Sequence, residues 1–186
     1  FRAALKSRTP LKTKVLSLFS LFILGTLNWS LAQVVINEYS ASNLNQYVDN
    51  HSDYEDWIEL YNTGATPVNL GGYFLSDDSL QNTKYVIPAG TTIAANGFLR
   101  FWCSGRNTFA AGHYHTTFRI TQTKNSGEDV VFSDPSGTII EGVDVLKTQN
   151  GHSRGRITNG SPVWGIFTVP TPNGSNNLVT PYSAYA

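Results

Sequence analysis

The chain has no methionine, one cysteine, no acidic residue in its first 32 positions and no apolar run of bilayer length. A single cysteine excludes a disulfide within the chain, so stability must come from a packed core. That cysteine, Cys103, alternates with Leu99 and Phe101 in Phe98-Leu99-Arg100-Phe101-Trp102-Cys103. No cation or base flanks it to lower its pKa, and a buried, inert thiol is expected. The longest apolar run, Val15 to Leu27, has 13 residues. A membrane span needs roughly 20, whereas a signal-peptide core needs about 7–15.

Arg2, Lys6, Arg8, Lys12 and Lys14 precede that run, and Ser30-Leu31-Ala32 follows it. This order of basic, apolar and small residues predicts a signal peptide over residues 1–32 with cleavage before Gln33. Export follows, to a secreted or cell-surface location, with no stable membrane insertion after cleavage. Residues 33–186 keep 13 − 5 = 8 basic residues against all 13 acids, a net charge of −5. With no basic stripe left to neutralise phosphates, nucleic acid is not an expected partner.

Helical patterning is also missing, since no window of eleven or more residues carries apolar residues at i, i+3, i+4 and i+7. Short alternating runs rich in Thr, Val, Ile and aromatics stand instead between turn signals such as Gly71-Gly72, Asp77-Asp78, Asn96-Gly97, Asp134-Pro135-Ser136-Gly137 and Asn159-Gly160. This spacing predicts an all-β fold, an immunoglobulin-like β-sandwich. The predicted strands are 34–40, 56–61, 66–69, 73–76, 84–87, 98–103, 118–121, 129–133, 138–145 and 153–156. In the second, Ile58 and Leu60 share the core-facing side while Trp57, Glu59 and Tyr61 share the other. Pro170–Asn177 reads as an extended exit, because proline and glycine discourage further sheet. The start at Phe1 and the stop after a Pro/Asn/Gly/Ser-rich stretch predict a fragment of a longer product, with 33–177 as the domain and 178–186 as linker toward a downstream region.

Several segments carry a family resemblance. Val35-Ile36-Asn37-Glu38 followed by Asp56-Trp57-Ile58-Glu59-Leu60-Tyr61-Asn62 resembles the opening of the lamin tail domain, secreted bacterial type. The likeness continues in order through Val68 to Asp78, Tyr85 to Ile93, His115 to Ile120, Gly127 to Asp134, Ser153-Arg154-Gly155-Arg156 and Thr171 to Asn176. The resemblance implies an immunoglobulin-like fold and a non-catalytic module beside other domains of a large secreted or surface protein.

Candidate chemistry is sparse. The acidic loop Asp49 to Asp56 is the best metal candidate and offers Asp49, Asp53, Glu55 and Asp56 as oxygen ligands for calcium, although it lacks the glycine and terminal glutamate of an EF-hand. No other cofactor is expected. His113 and His115 share one face of an extended strand, which gives two of the three or four ligands a transition metal needs. Ser153, His152 and Asp144, or Ser104 and His113, could be assembled as nucleophile and base, but no G-x-S-x-G elbow is present and neighbours in a strand point apart. Glu38 and Glu59 resemble a carboxylate pair of the kind used in glycoside hydrolysis; as scaffold residues they would be hydrogen-bonded near strand ends or to Arg100 or Arg119. Tyr47, Tyr54, Tyr73 and Tyr114 could form a sugar- or protein-binding patch. The expectation is a module without enzymatic activity, monomeric within a longer chain, with a protein or surface glycan as partner. An accessory domain of a secreted enzyme (nuclease, phosphoesterase or spore-coat-kinase-like), or a carbohydrate-binding module, is the alternative.

Overall fold

A computed structural model describes residues 33–182. The predicted signal peptide at 1–32 and the last four residues of the predicted linker lie outside the described residues. Thirteen strands are present among them: β1 Val34–Ser40, β2 Trp57–Asn62, β3 Val68–Asn69, β4 Phe74–Ser76, β5 Tyr85–Val86, β6 Thr92–Ile93, β7 Phe98–Trp102, β8 Thr108–Ala110, β9 His113–His115, β10 Asp129–Ser133, β11 Ile139–Asp144, β12 Ser153–Arg156 and β13 Trp164–Phe167. The only helical elements there are two single-turn 3₁₀ helices, Ser79–Gln81 and Asn176–Leu178. No described helix is long and apolar enough to cross a membrane.

The strands form a seven-stranded sheet, β13-β12-β1-β2-β7-β9-β8, and a four-stranded sheet, β11-β10-β4-β5, with β3 and β6 as a small ribbon. Neighbours in both larger sheets are antiparallel except β7 and β9. Ile36, Tyr39, Ile58, Leu60 and Phe101 of the large sheet meet Leu75, Tyr85, Val130 and Phe132 of the smaller one in a single core. This is the immunoglobulin-like sandwich that the turn spacing predicts. Ile58 and Leu60 are both wholly buried in it, on the predicted face. Cys103 lies in the same cluster, and burial pushes its thiol well above the usual range.

The strand assignments differ at several places. Phe118–Thr121 is not a strand. Phe118 and Ile120 do enter the core, but the backbone around them is satisfied elsewhere: Gly105 N–H donates to the Phe118 carbonyl at 3.2 Å, and Thr121 N–H donates to the Glu128 carboxylate. Alternating burial therefore does not require a ladder. Conversely β6, β8 and β13 arise in stretches assigned no strand, each of four residues or fewer.

One irregularity positions the polar face. The β1–β2 register steps between Ile36 and Glu38, a β-bulge at Asn37. Uninterrupted alternation from Val34 and Ile36 would turn Glu38 into the core. The extra residue turns it outward and sends Tyr39 inward, so that Glu38 sits opposite Glu59 on β2.

Candidate functional site

The centre of the outer face of the large sheet is closed, as its inner face is. Trp57, Glu59, Glu38, Trp102 and His115 are each at most 1% exposed. Two irregular segments cover them. The first is the loop between β1 and β2; the second is the stretch Pro170–Asn176, which returns across the sheet as a strap rather than leaving it. Tyr47 of the loop stacks edge-on against Trp57 and donates its hydroxyl to the Pro170 carbonyl at 2.7 Å, joining the two covers.

Under the strap Glu38 receives Ser153 Oγ at 2.5 Å and Thr171 N–H at 3.0 Å on Oε1, with Thr171 Oγ1 at 2.7 Å from Oε2. Thr171 Oγ1 is also 2.6 Å from Oδ1 of Asn176, whose Nδ2 donates to the carbonyls of Arg156 and Asn37. One hydroxyl proton cannot serve two acceptors. The set closes when Glu38 carries a proton on Oε2 and donates it to Thr171, leaving the Thr171 proton for Asn176. Burial raises the Glu38 pKa, against the lowering effect of the Ser153 and Thr171 bonds. Glu59 accepts from Asn173 N–H at 2.5 Å and Asn37 Nδ2 at 3.3 Å; burial chiefly raises it well above the carboxylate range. The carboxylate pair thus exists, but it holds the strap. Neither member hydrogen-bonds to Arg100 or Arg119: Arg100 acts on Glu59 only through its charge, and Arg119 pairs with Glu55.

The acidic loop is drawn around guanidinium groups. Arg106 contacts Asp49 at 3.1 Å, Glu55 at 2.9 Å and Asp53, while Arg119 meets Glu55 at 2.5 Å. Asp49 Oδ1 also accepts from His51 and Asp53 N–H, and burial is outweighed by these bonds and Arg106, so its pKa falls. Asp56 stands apart and accepts from Asn43 N–H at 2.8 Å. Burial pushes it up to about 6. Three of the four candidate calcium ligands come together, each on an arginine. Among the described residues no group of three or more His, Cys, Asp or Glu could hold a metal ion.

His113 and His115 do lie on β9, with different duties. His113 Nδ1 accepts the Trp102 indole N–H at 3.0 Å. His115, not His113, is the partner of Ser104, at 2.9 Å through Nδ1, while its Nε2 lies 2.7 Å from Asn50 Oδ1. The chain Arg106 N–H to Ser104 Oγ, Ser104 O–H to His115 Nδ1, His115 Nε2–H to Asn50 is consistent for a neutral imidazole. Burial lowers the His115 pKa accordingly. Ser104 is 2% and His115 0% exposed, so no substrate reaches this pair. Ser153 belongs to Glu38, and Asp144 gives only its carbonyl, to Tyr39.

Of the four tyrosines, only Tyr54 is exposed. Tyr47 packs on Trp57, Tyr73 stacks on Phe132, and Tyr114 sits between Phe101 and Phe109. They form no common patch.

Many of the remaining motif residues are equally committed. Asn62 Nδ2 donates to the carbonyls of Thr66 and Ala94, and Ser76 Oγ donates to that of Gln81. Arg156 and Glu141 bracket Ile36, where β1 runs past the end of its pairing with β12: Arg156 Nε donates to its carbonyl at 2.8 Å, and Glu141 accepts its N–H at 2.7 Å. At Gly155 a Cβ would lie 2.7 Å from Asn176 Nδ2 and 2.9 Å from the Phe167 ring, so the strap's close approach requires glycine.

Fold and buried polar face together define an immunoglobulin-like structural module. The Lamin Tail Domain family model matches residues 30–148, well over half of the chain, and the chain belongs to that family. The family is a structural one rather than a catalytic one. No curated protein matches the chain. The strands β12 and β13 and the strap lie beyond the matched stretch and complete the large sheet and its cover.

Proposed function

We propose that the chain is a non-catalytic interaction or spacer module of a larger secreted or surface protein. One observation carries this reading: the polar groups that could do chemistry are spent on the scaffold. Glu38 and Glu59 hold the strap, Ser104 and His115 are sealed, and the carboxylates of the acidic loop neutralise Arg106 and Arg119. Catalysis needs a nucleophile, a base and access in one place. The basic, apolar and small-residue order of residues 1–32 supports export. No metal is needed for the role, and a protein or glycan is the partner class it suits.

Assays of the purified protein on nucleic-acid, phosphoester, peptide and glycan substrates, with and without divalent metal, are expected to give no turnover. Turnover lost in Ser104→Ala, His115→Ala or Glu59→Gln overturns the non-catalytic reading. N-terminal sequencing after expression with its leader is expected to begin at Gln33; retention of residues 1–32 overturns export by cleavage.

A further inference from the structure

The two covers of the outer face leave an opening beside the strap. Strand pairing places Glu59 beside Arg100 on β7, and the β7–β9 register carries the row on toward His113. Where the row reaches Arg100, Trp102 and His113, a pocket of about 110 Å³ opens, with Asn173 of the strap on its rim. Ligand pockets that engulf whole molecules measure roughly 300–1,000 Å³, so this one admits a functional group with the rest of the ligand outside.

Its chemistry is donor-rich. Arg100 lies over the Trp102 ring at 4.0 Å, a contact that fixes the guanidinium plane. Its side chain makes no hydrogen bond or ion pair with any described residue. Arg106, Arg119 and Arg156, by contrast, each meet a carboxylate. His113 Nδ1 is occupied as acceptor by the Trp102 N–H, a group that can only donate, so its proton sits on Nε2 and the ring keeps a donor to offer. A planar fork, a second N–H and no competing carboxylate contact match a carboxylate better than a cation or a neutral hydroxyl.

We infer that Arg100, His113 and Asn173 form a binding site for the carboxylate of an acidic ligand, either a uronic-acid sugar or a free organic acid. The site goes beyond the module reading and is independent of it, since a spacer can also carry it.

The test is a titration of the purified protein with acetate, glucuronate, glucose and sulfate at constant ionic strength. The readout is the NMR shift of the Trp102 indole N–H, which neighbours both Arg100 and His113. Acetate and glucuronate are expected to give saturable shifts and glucose none. Glucuronate binding above acetate identifies the sugar acid as the source, and equal binding identifies the free carboxylate. Arg100→Gln is expected to weaken binding roughly tenfold, the scale of one charge-assisted hydrogen bond. Arg100→Lys, which keeps the charge and the stem over Trp102, is expected to weaken it less, and Lys147→Gln, outside the pocket, not at all. Linear shifts, saturation by sulfate alone, glucose binding equal to glucuronate, or binding unchanged in both Arg100 variants overturns the site.

Discussion

The two faces of the large sheet both bury their centres, but by opposite chemistry. On the inner face Ile36, Ile58, Leu60 and Phe101 are held by apolar packing. On the outer face Glu38, Glu59 and His115 lie among Trp57 and Trp102, and every carboxylate there needs a partner supplied by the loop or the strap. Removing a methylene from the first face leaves a void. Removing an acceptor from the second leaves buried donors, which cost about 1–3 kcal/mol each. The inner face is therefore a property of the sheet, and the outer face a property of the sheet and two irregular segments together.

The largest effect is expected on the inner face: Leu60→Ala should lower unfolding free energy by about 2–5 kcal/mol in urea denaturation. A loss below about 0.5 kcal/mol, the surface range, breaks the comparison. On the outer face Glu38→Ala should cost roughly 2–4 kcal/mol, because Ser153 and Thr171 lose their acceptor. Glu38→Gln discriminates further. An amide can donate where the protonated carboxyl donates, so this variant should stay within about 1 kcal/mol of the parent; a loss as large as that of Glu38→Ala shows that Glu38 is ionised instead. Gly155→Ala forces a methyl against Asn176 and Phe167 and should cost about 1–3 kcal/mol. If it is neutral, the strap is not seated as described.

The same contrast sets what could be read from sequence. The inner face is written in alternation, and Ile58 and Leu60 follow from it directly. The outer face is not, because Glu38 reaches it through a bulge at Asn37 that no spacing marks, and its cover comes from a proline- and glycine-containing stretch that reads as an exit. Only the Thr171 to Asn176 resemblance signals that this stretch matters. The acidic loop reads as an oxygen cage because its counter-charge, Arg106, lies some fifty residues further on. Ser104 finds His115 rather than His113 because β9 pairs parallel to β7, a geometry that local pattern does not contain.

The smallest expected effect concerns protonation, and it tests whether the outer carboxyls are neutral in the fold. Burial raises Glu38, Glu59 and Glu128, and lifts Asp56 to about 6. A raised carboxyl favours the folded state while protonated. Its contribution is complete below the unfolded value, 4.5 for Glu and 3.8 for Asp, and fades as pH climbs through the folded value. His115 opposes this: its lowered pKa gives stability above 6.5 that is lost on acidification. Asp49, Asp78 and Asp134 are lowered and act only below 3.8. Between pH 7.5 and 5 the raised carboxyls therefore pull against His115, with Asp56 at about 6 titrating inside that window, and unfolding free energy should rise on acidification before falling at still lower pH. Glu38→Gln combined with Glu59→Gln should reduce that rise without abolishing it, because Asp56 and Glu128 remain, whereas Asp49→Asn should leave it in place. A protein that loses stability steadily from pH 7.5 to 5 has ionised carboxylates under its strap, and the contrast between the two faces then fails at its polar end.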